Sequence, residues 1–370
     1  MSDENPPAGA LRVARVAGVP VYLDRTWLLL ALFIAWTGWS AGEGLGTGVA
    51  IAYAAWLVVG ILLAVLGHEV AHALTARLLG YRVHRIVATL WGGHTSFDGT
   101  GSTPGRSAAV AVAGPLANLL LAALGWVAYV GLPWPASEFA WSFLFLNLLL
   151  AAFNLLPGLP LDGGQLVDSL VWVVTGRRDR GLLVAGWTGR VLALGVLGWF
   201  GIRPFATGAE PDVVSVVLSV VMAWILWSGA SAAIARAPYE RLVTVVRLDD
   251  VLEEAVVVPA HTSVGELPPT RGRVLATDEQ GRPTLLLPLP GPGAPELSSL
   301  PPATRLSSLV QRLPDGCVVE VGEGSGTAEV VRALAVTRQP LVAVTRHGTL
   351  LGVVTAERFN AAAEAALRRT

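Results

Sequence analysis

Six apolar stretches follow one another between Trp27 and Ile234, and they dominate what this 370-residue chain can become. They run over Trp27–Ala41, Gly48–Leu66, Ser107–Val130, Glu138–Leu156, Gly181–Phe200 and Val213–Ile234. A helix needs about 20 apolar residues to cross roughly 30 Å of hydrocarbon. As buried helices of a water-soluble protein, six such runs would leave almost no polar surface. The composition agrees: 14% of residues are charged, against about 25% in soluble domains. The expected fold is a polytopic α-helical membrane protein of about six transmembrane helices. The first run is the shortest and reaches full span length only by starting near Val19, across Asp24 and Arg25.

The basic residues orient these spans. All 26 are Arg, as a GC-rich bacterial genome would give. Arg12, Arg15 and Arg25 precede the first run; Arg77, Arg82, Arg85 and Arg106 separate the second from the third. Arg177, Arg178 and Arg180 follow the fourth, and Arg236 and Arg241 follow the sixth, whereas the alternate connections hold only Arg203. Cytoplasmic loops collect the positive charge, so a multi-pass protein of the cell membrane with both termini in the cytoplasm fits every cluster. Met1–Gly18 is polar, contains Pro, and lacks the features of a cleavable signal. The expected organisation is a cytosolic tail over 1–18, a membrane domain over 19–236 and a soluble domain over 237–370. A net charge of −1 offers no electrostatic footing for nucleic acid. The single cysteine, Cys317, excludes an intrachain disulfide and a Cys-rich zinc site, so metal ligands must be His or carboxylate.

Two such ligands stand at the end of the second run, in His68-Glu69-Val70-Ala71-His72. On a helix, residues four apart share a face, so both imidazoles can reach one metal. Glu69 sits beside them, placed to take a proton from a water held at that metal and to pass it to a leaving amine. Ionisable groups at this depth are expensive and mark function by default. A catalytic zinc takes three protein ligands and keeps an open position. Asp162, in Asn154-Leu155-Leu156-Pro157-Gly158-Leu159-Pro160-Leu161-Asp162-Gly163-Gly164, follows the fourth run on the same side of the membrane. Pro157 and Pro160 break the helix, and Gly163-Gly164 allows a tight turn. Irregular backbone at membrane depth implies a wet pocket.

These residues resemble the site-2 protease family of intramembrane metalloproteases. That family pairs H-E-x-x-H on one transmembrane helix with N-x-x-P-x-x-P-x-D-G on another, here His68–His72 and Asn154–Gly163. A third shared element is Gly114-Pro115-Leu116-Ala117-Asn118, similar to the family's G-P-x-x-N. There small residues permit close helix packing, and Asn118 can hydrogen-bond between helices. The resemblance spans about residues 15–235. It implies one Zn2+ per chain on His68, His72 and Asp162, with Glu69 as general base. It also implies that Asn154 positions the substrate or polarises the scissile carbonyl. The expected activity is that of a zinc endopeptidase hydrolysing peptide bonds of membrane-anchored substrates within or near the bilayer.

Between the second and third runs, Tyr81–Phe97 is rich in β-branched residues and interrupted by Gly92-Gly93. It reads as a small re-entrant β hairpin. In similar proteases such a segment offers an edge to an extended substrate. His94 within it is more readily a solvated loop residue than a fourth ligand, because the open metal position is needed for water.

From about Pro238 the composition becomes that of a soluble α/β domain. Short β-like runs cover Val243–Val246, Ala255–Val258, Arg273–Thr277, Thr284–Leu287, Cys317–Val321, Leu341–Thr345 and Leu351–Thr355, with helices over Thr327–Thr337 and Ala356–Arg368. The stretch from Gln339 to Thr355 with its closing helix resembles a cystathionine-β-synthase-type (CBS) repeat, and a more degenerate copy covers about 243–300. Such pairs commonly bind adenine nucleotides through an acid or amide three residues after the Thr. Here Arg358 takes that place, and Pro288-Leu289-Pro290 occupies the equivalent turn of the first copy. A docking or homodimerising regulatory module is therefore the preferred reading over a nucleotide sensor. The Pro/Gly-rich Leu287–Pro302 reads as a loop.

Two other functions would also put His and Asp in a membrane. A metal transporter spreads ligands along a path and shows inverted repeats, whereas here they gather at one depth. A non-catalytic membrane scaffold has no need of intact His68, Glu69, His72 and Asp162. The outward loops are too short to hold a sensing domain, so either no earlier cut is required or a separate membrane partner gates the enzyme.

Overall fold

A computed structural model describes residues 9–42, 46–89, 92–97, 101–208, 212–269, 272–288, 300–322 and 326–368. The chain divides into two compact units, Met1–Pro238 and Tyr239–Thr370.

The first unit opens on a hairpin of β1 (Ala10–Val16) and β2 (Val19–Asp24). Ala17 and Gly18 both have positive φ, 48° and 83°, as the tightest two-residue hairpin turn requires. The N-terminal segment is thus partly a strand and not merely a tail. Asp24 Oδ1 then accepts hydrogen bonds from the Thr26 backbone N–H (2.9 Å) and hydroxyl (2.6 Å), ending the strand. Helix α1 (Trp27–Gly42) begins at once and is 16 residues long. The extension back to Val19 is therefore excluded, because Val19–Asp24 is strand.

Among the described residues five apolar helices are long enough to cross a membrane: α2 (Thr47–Leu78), α3 (Pro104–Gly131), α4 (Ala136–Asn154), the α6–α7 segment and α8 (Val213–Val245). Helix α1 falls short of the sixth span expected. Helix α6 (Arg178–Val196) passes through a π-helical stretch at Leu197–Ile202 into the single turn α7 (Arg203–Ala206). These helices meet through small residues. A Cβ on Gly125 would lie 2.9 Å from the Leu144 backbone nitrogen, and one on Gly38 would lie 2.9 Å from the Ala54 Cα. Such positions let backbones approach where lipid supplies no hydrophobic drive for helix pairing.

The β element is larger than a hairpin. Strands β3 (Val83–Thr89) and β4 (Gly92–Phe97) pair antiparallel, and β3 also runs parallel to β2, giving the order β1-β2-β3-β4. Within the expected Tyr81–Phe97 hairpin, Leu90 and Trp91 lie outside the described residues. Ile86, Val19 and Val21 seal the sheet onto Ala73 of α2.

An amphipathic helix, α5 (Asp162–Thr175), follows the Pro-rich loop. Gly163 and Gly164 belong to its first turn and do not form the expected tight turn. Their value is close approach: a Cβ on Gly164 would lie 2.6 Å from the Gly158 carbonyl oxygen.

In the second unit Val243–Val245 ends α8, correcting the expected first strand. The short α9 (Leu248–Val251) leads to β5 (Ala255–Pro259), β6 (Arg273–Thr277), β7 (Leu285–Leu286) and β8 (Gln311–Arg312), one sheet in that order. A second sheet has the order β11-β10-β9, built from β9 (Val318–Glu320), β10 (Leu341–Arg346) and β11 (Thr349–Thr355). Helices α10 (Thr327–Thr337) and α11 (Ala356–Arg368) lie where the pattern predicts. Val330, Val342, Val344, Val354 and Phe359 form a continuous apolar core. Of the expected 287–302 loop, residues 289–299 lie outside the described residues.

Candidate active site

Helix α2 is built mostly from Ala, Leu, Val and Ile until Gly67, and then presents His68, Glu69 and His72, all buried. The two imidazoles stand nearly perpendicular, their centroids 4.6 Å apart, with Nε2 atoms separated by 3.0 Å. Asp162, the first residue of α5, brings its Oδ2 to 3.1 Å from His68 Nε2 and 3.3 Å from His72 Nε2.

The surroundings decide what these atoms are. His68 Nδ1 lies 2.7 Å from Asn118 Oδ1, and His72 Nδ1 lies 2.7 Å from the Val110 carbonyl oxygen. The Asn118 amide is oriented by its own donations from Nδ2, to the Ala64 carbonyl at 3.1 Å and to Asn147 Oδ1 at 2.9 Å. Asn147 in turn donates to the Phe143 carbonyl at 2.9 Å. Both acceptors facing the Nδ1 atoms can only accept, so each histidine carries its proton on Nδ1. Both Nε2 atoms therefore present lone pairs to the same point, beside a buried carboxylate oxygen, Asp162 Oδ2, that makes no hydrogen bond among the described residues.

Two lone pairs and a carboxylate oxygen within 3.3 Å of one another repel unless a cation sits among them. The residues thus fit a divalent metal that takes nitrogen and oxygen ligands, with the second atoms of both histidines tied down as metal sites require. The space is reserved by Gly114 on α3: a Cβ there would lie 2.5 Å from His68 Cε1 and 2.6 Å from His68 Nε2.

Glu69 leaves α2 in another direction, toward β4. Thr95 Oγ1 donates to its Oε2 at 2.8 Å. Gly93 lies against the same side chain, where a Cβ would come 2.7 Å from both Glu69 Cδ and Oε1. Gly92 has a φ of 109° and starts the strand, its carbonyl accepting from the Thr89 hydroxyl at 3.0 Å.

The remaining sequence candidates have partners of their own. Asn154 ends α4, and its Nδ2 donates to the Leu150 carbonyl one turn back, at 3.1 Å. The loop of Pro157 and Pro160 is pinned by a 3.0 Å hydrogen bond from Leu159 N–H to the Ala185 carbonyl. Pro160 also packs on Gly229 of α8 so closely that a Cβ there would lie 2.5 Å from its Cγ. His94 is exposed on β4 opposite Val87 and stands outside the metal-ligating group. The sequence reading passed over Asn147 and Thr95. Asn147 could have been noticed as an amide inside an apolar run. Thr95 could have been noticed by its period-two relation to Gly93 on one strand face.

Comparison with known proteins shows the family. The model of Peptidase family M50 matches residues 56–135 and 132–195. The Synechocystis sp. protein sll0528, whose name carries the words zinc metalloprotease, is 30% identical over 272 residues, covering 69% of this chain and 68% of that protein. Rip3 of Mycobacterium tuberculosis, named in the same terms, is 34% identical over 267 residues, covering 69% of this chain and 65% of its own. Among solved structures, the site-2 protease of Methanocaldococcus jannaschii is 19% identical with a TM-score of 0.43, covering 61% of this chain and 95% of that one. The extent of the match to sll0528, together with the family model, places the chain in peptidase family M50, the site-2 proteases, as a multi-pass membrane metalloprotease.

Proposed function

We propose that this chain is a zinc endopeptidase that cuts membrane-anchored proteins within or near the bilayer, with His68, His72 and Asp162 holding one zinc ion and Glu69 serving as general base and acid. The observation that carries the reading is the convergence of two imidazole lone pairs and the Asp162 carboxylate on one buried point, among helices long enough to span a membrane. Zinc and metalloprotease activity are also in the names of the relatives sll0528 and Rip3.

Zinc bound among these ligands supplies Lewis acidity, lowering the pKa of a water to about 7 and polarising a carbonyl. Glu69 takes the proton of the attacking water and returns it to the departing amine nitrogen. His68 and His72 keep their Nε2 lone pairs for the metal because Asn118 and the Val110 carbonyl engage Nδ1. Asn154, at the end of α4 where the irregular loop begins, is the residue assigned to the substrate carbonyl. The extended stretch of the substrate pairs along β4, an edge strand of its sheet. A transporter accounts less well for ligand atoms gathered in one cluster, and a scaffold has no need of them.

The Arg distribution supports a cytoplasmic active site with both termini on that side. The second unit would then be a cytosolic regulatory module of the CBS type that docks a partner or a second copy. Adenine nucleotide recognition is disfavoured there because Arg358 stands at the gripping position.

The first test is bound metal. Purified wild type should carry close to one zinc per chain by mass spectrometry, and His72→Ala should carry almost none. A folded wild type that remains empty after zinc is added back would remove the hydrolase reading.

A further inference from the structure

We propose that Thr95 is a positioning residue for the reaction: its hydroxyl holds the Glu69 carboxylate in place, so that β4 both offers the edge for a substrate and fixes the base. The inference rests on Glu69 being that base.

Glu69 is 5% exposed, and a buried carboxylate needs donors. Thr95 Oγ1 donates to its carboxylate, at 2.8 Å from Oε2. The same hydroxyl lies 3.1 Å from the Glu69 main-chain oxygen. It has one hydrogen, and the shorter contact to a charged acceptor is the stronger of the two.

Thr95 is itself held by its strand. Its backbone is in register with Ile86 of β3, and Ile86 is fully buried. A β-branched side chain on a strand has few rotamers. The hydroxyl is therefore a fixed point, set by the sheet and not by α2. Gly93, two residues earlier on the same strand face, closes the other side of the Glu69 chain. Thr95 and Gly93 thus both border the Glu69 carboxylate.

The two imidazoles are aimed by α3 through Asn118 and Val110, while the carboxylate is aimed by β4. A base displaced by about 1 Å can cost roughly 100-fold in rate, which is the scale of effect expected from releasing it.

Thr95→Val keeps the shape and removes the donor; Thr95→Ser keeps the donor. The activity-independent test is infrared difference spectroscopy of the zinc-loaded protein. Subtracting Glu69→Gln from wild type isolates the Glu69 carboxylate stretch. That band should shift in Thr95→Val and hold its wild-type position in Thr95→Ser. An unshifted band in Thr95→Val overturns the proposal, whatever the activity.

The kinetic test uses tagged single-span proteins with Gly- and Pro-containing membrane segments, choosing one that wild type cuts and Glu69→Gln leaves intact. Thr95→Val should lower kcat by roughly 10- to 100-fold, with KM and bound zinc unchanged and turnover recovered in Thr95→Ser. Wild-type kcat in Thr95→Val, or loss in both variants, sinks the role of Thr95 alone. Cleavage persisting in Glu69→Gln would instead sink the assignment of the base.

Discussion

Helix α3 of the first unit and strand β10 of the second bury opposite kinds of residue. In α3 the inward stripe is Gly114, Asn118, Ala122 and Gly125, while Leu120, Leu124 and Val127 point outward. In β10 the inward residues are Leu341, Val342 and Val344, and Leu275 and Val353 are buried beside that strand. Helix α3 thus places small and polar groups inside and large apolar ones outside, and strand β10 does the reverse. Each arrangement follows from the surrounding solvent. Lipid gives no advantage to burying Leu, so helices there hold together by close contact and hydrogen bonds. Water gives about 25 cal/mol per Å2 of apolar surface removed from it, so the second unit packs its bulk inward.

Substitutions can break this contrast at specific points. The largest effect should come from Glu69→Gln, which keeps the fold and zinc but lowers peptide cleavage by about 100- to 10,000-fold, measured as fragment release from a tagged membrane substrate. Next comes Leu275→Ala in the fully buried core of the second unit. Removing those carbons should destabilise that unit by roughly 2–5 kcal/mol, read by denaturant melts of the purified protein, with bound zinc unchanged.

Gly114→Ala ends on the same residue type for the opposite reason, because it adds one carbon where His68 must sit. Zinc affinity measured by chelator competition should fall by about 10- to 100-fold, the range for disturbed support of metal ligands. Asn147→Ala should weaken zinc by about 10-fold by freeing the Asn118 amide that orients His68. Asn147→Asp, which keeps an acceptor for Asn118, should lose less. If Gly114→Ala left zinc affinity untouched while Leu275→Ala reduced it, the contrast drawn between the two units would be wrong.

Much of this was legible in the residues. The apolar runs foretold the membrane helices because hydropathy is a local property. The positions of α10 and α11 followed from their periodicity. The triplet His68, His72 and Asp162 is legible too, the histidines by helical spacing and Asp162 by following the fourth run on the same side of the membrane. The N-terminal strand β1 was not anticipated, because its partner across the turn had been counted toward a membrane span. Helix α5 was hidden behind two glycines that ordinarily signal a turn. Val243–Val245 has strand-forming residues but continues the helix that precedes it.

By itself the sequence determined where the apolar helices lie and which three side chains are candidates to ligate a metal. These depend on composition and on spacing within one element. Only the tertiary structure decided which groups hold those ligands in place. Asn118 reaches His68 across 50 residues of chain, and Thr95 reaches Glu69 across 26. Those pairings depend on how separate helices and strands pack, and short-range spacing along the chain carries no record of that.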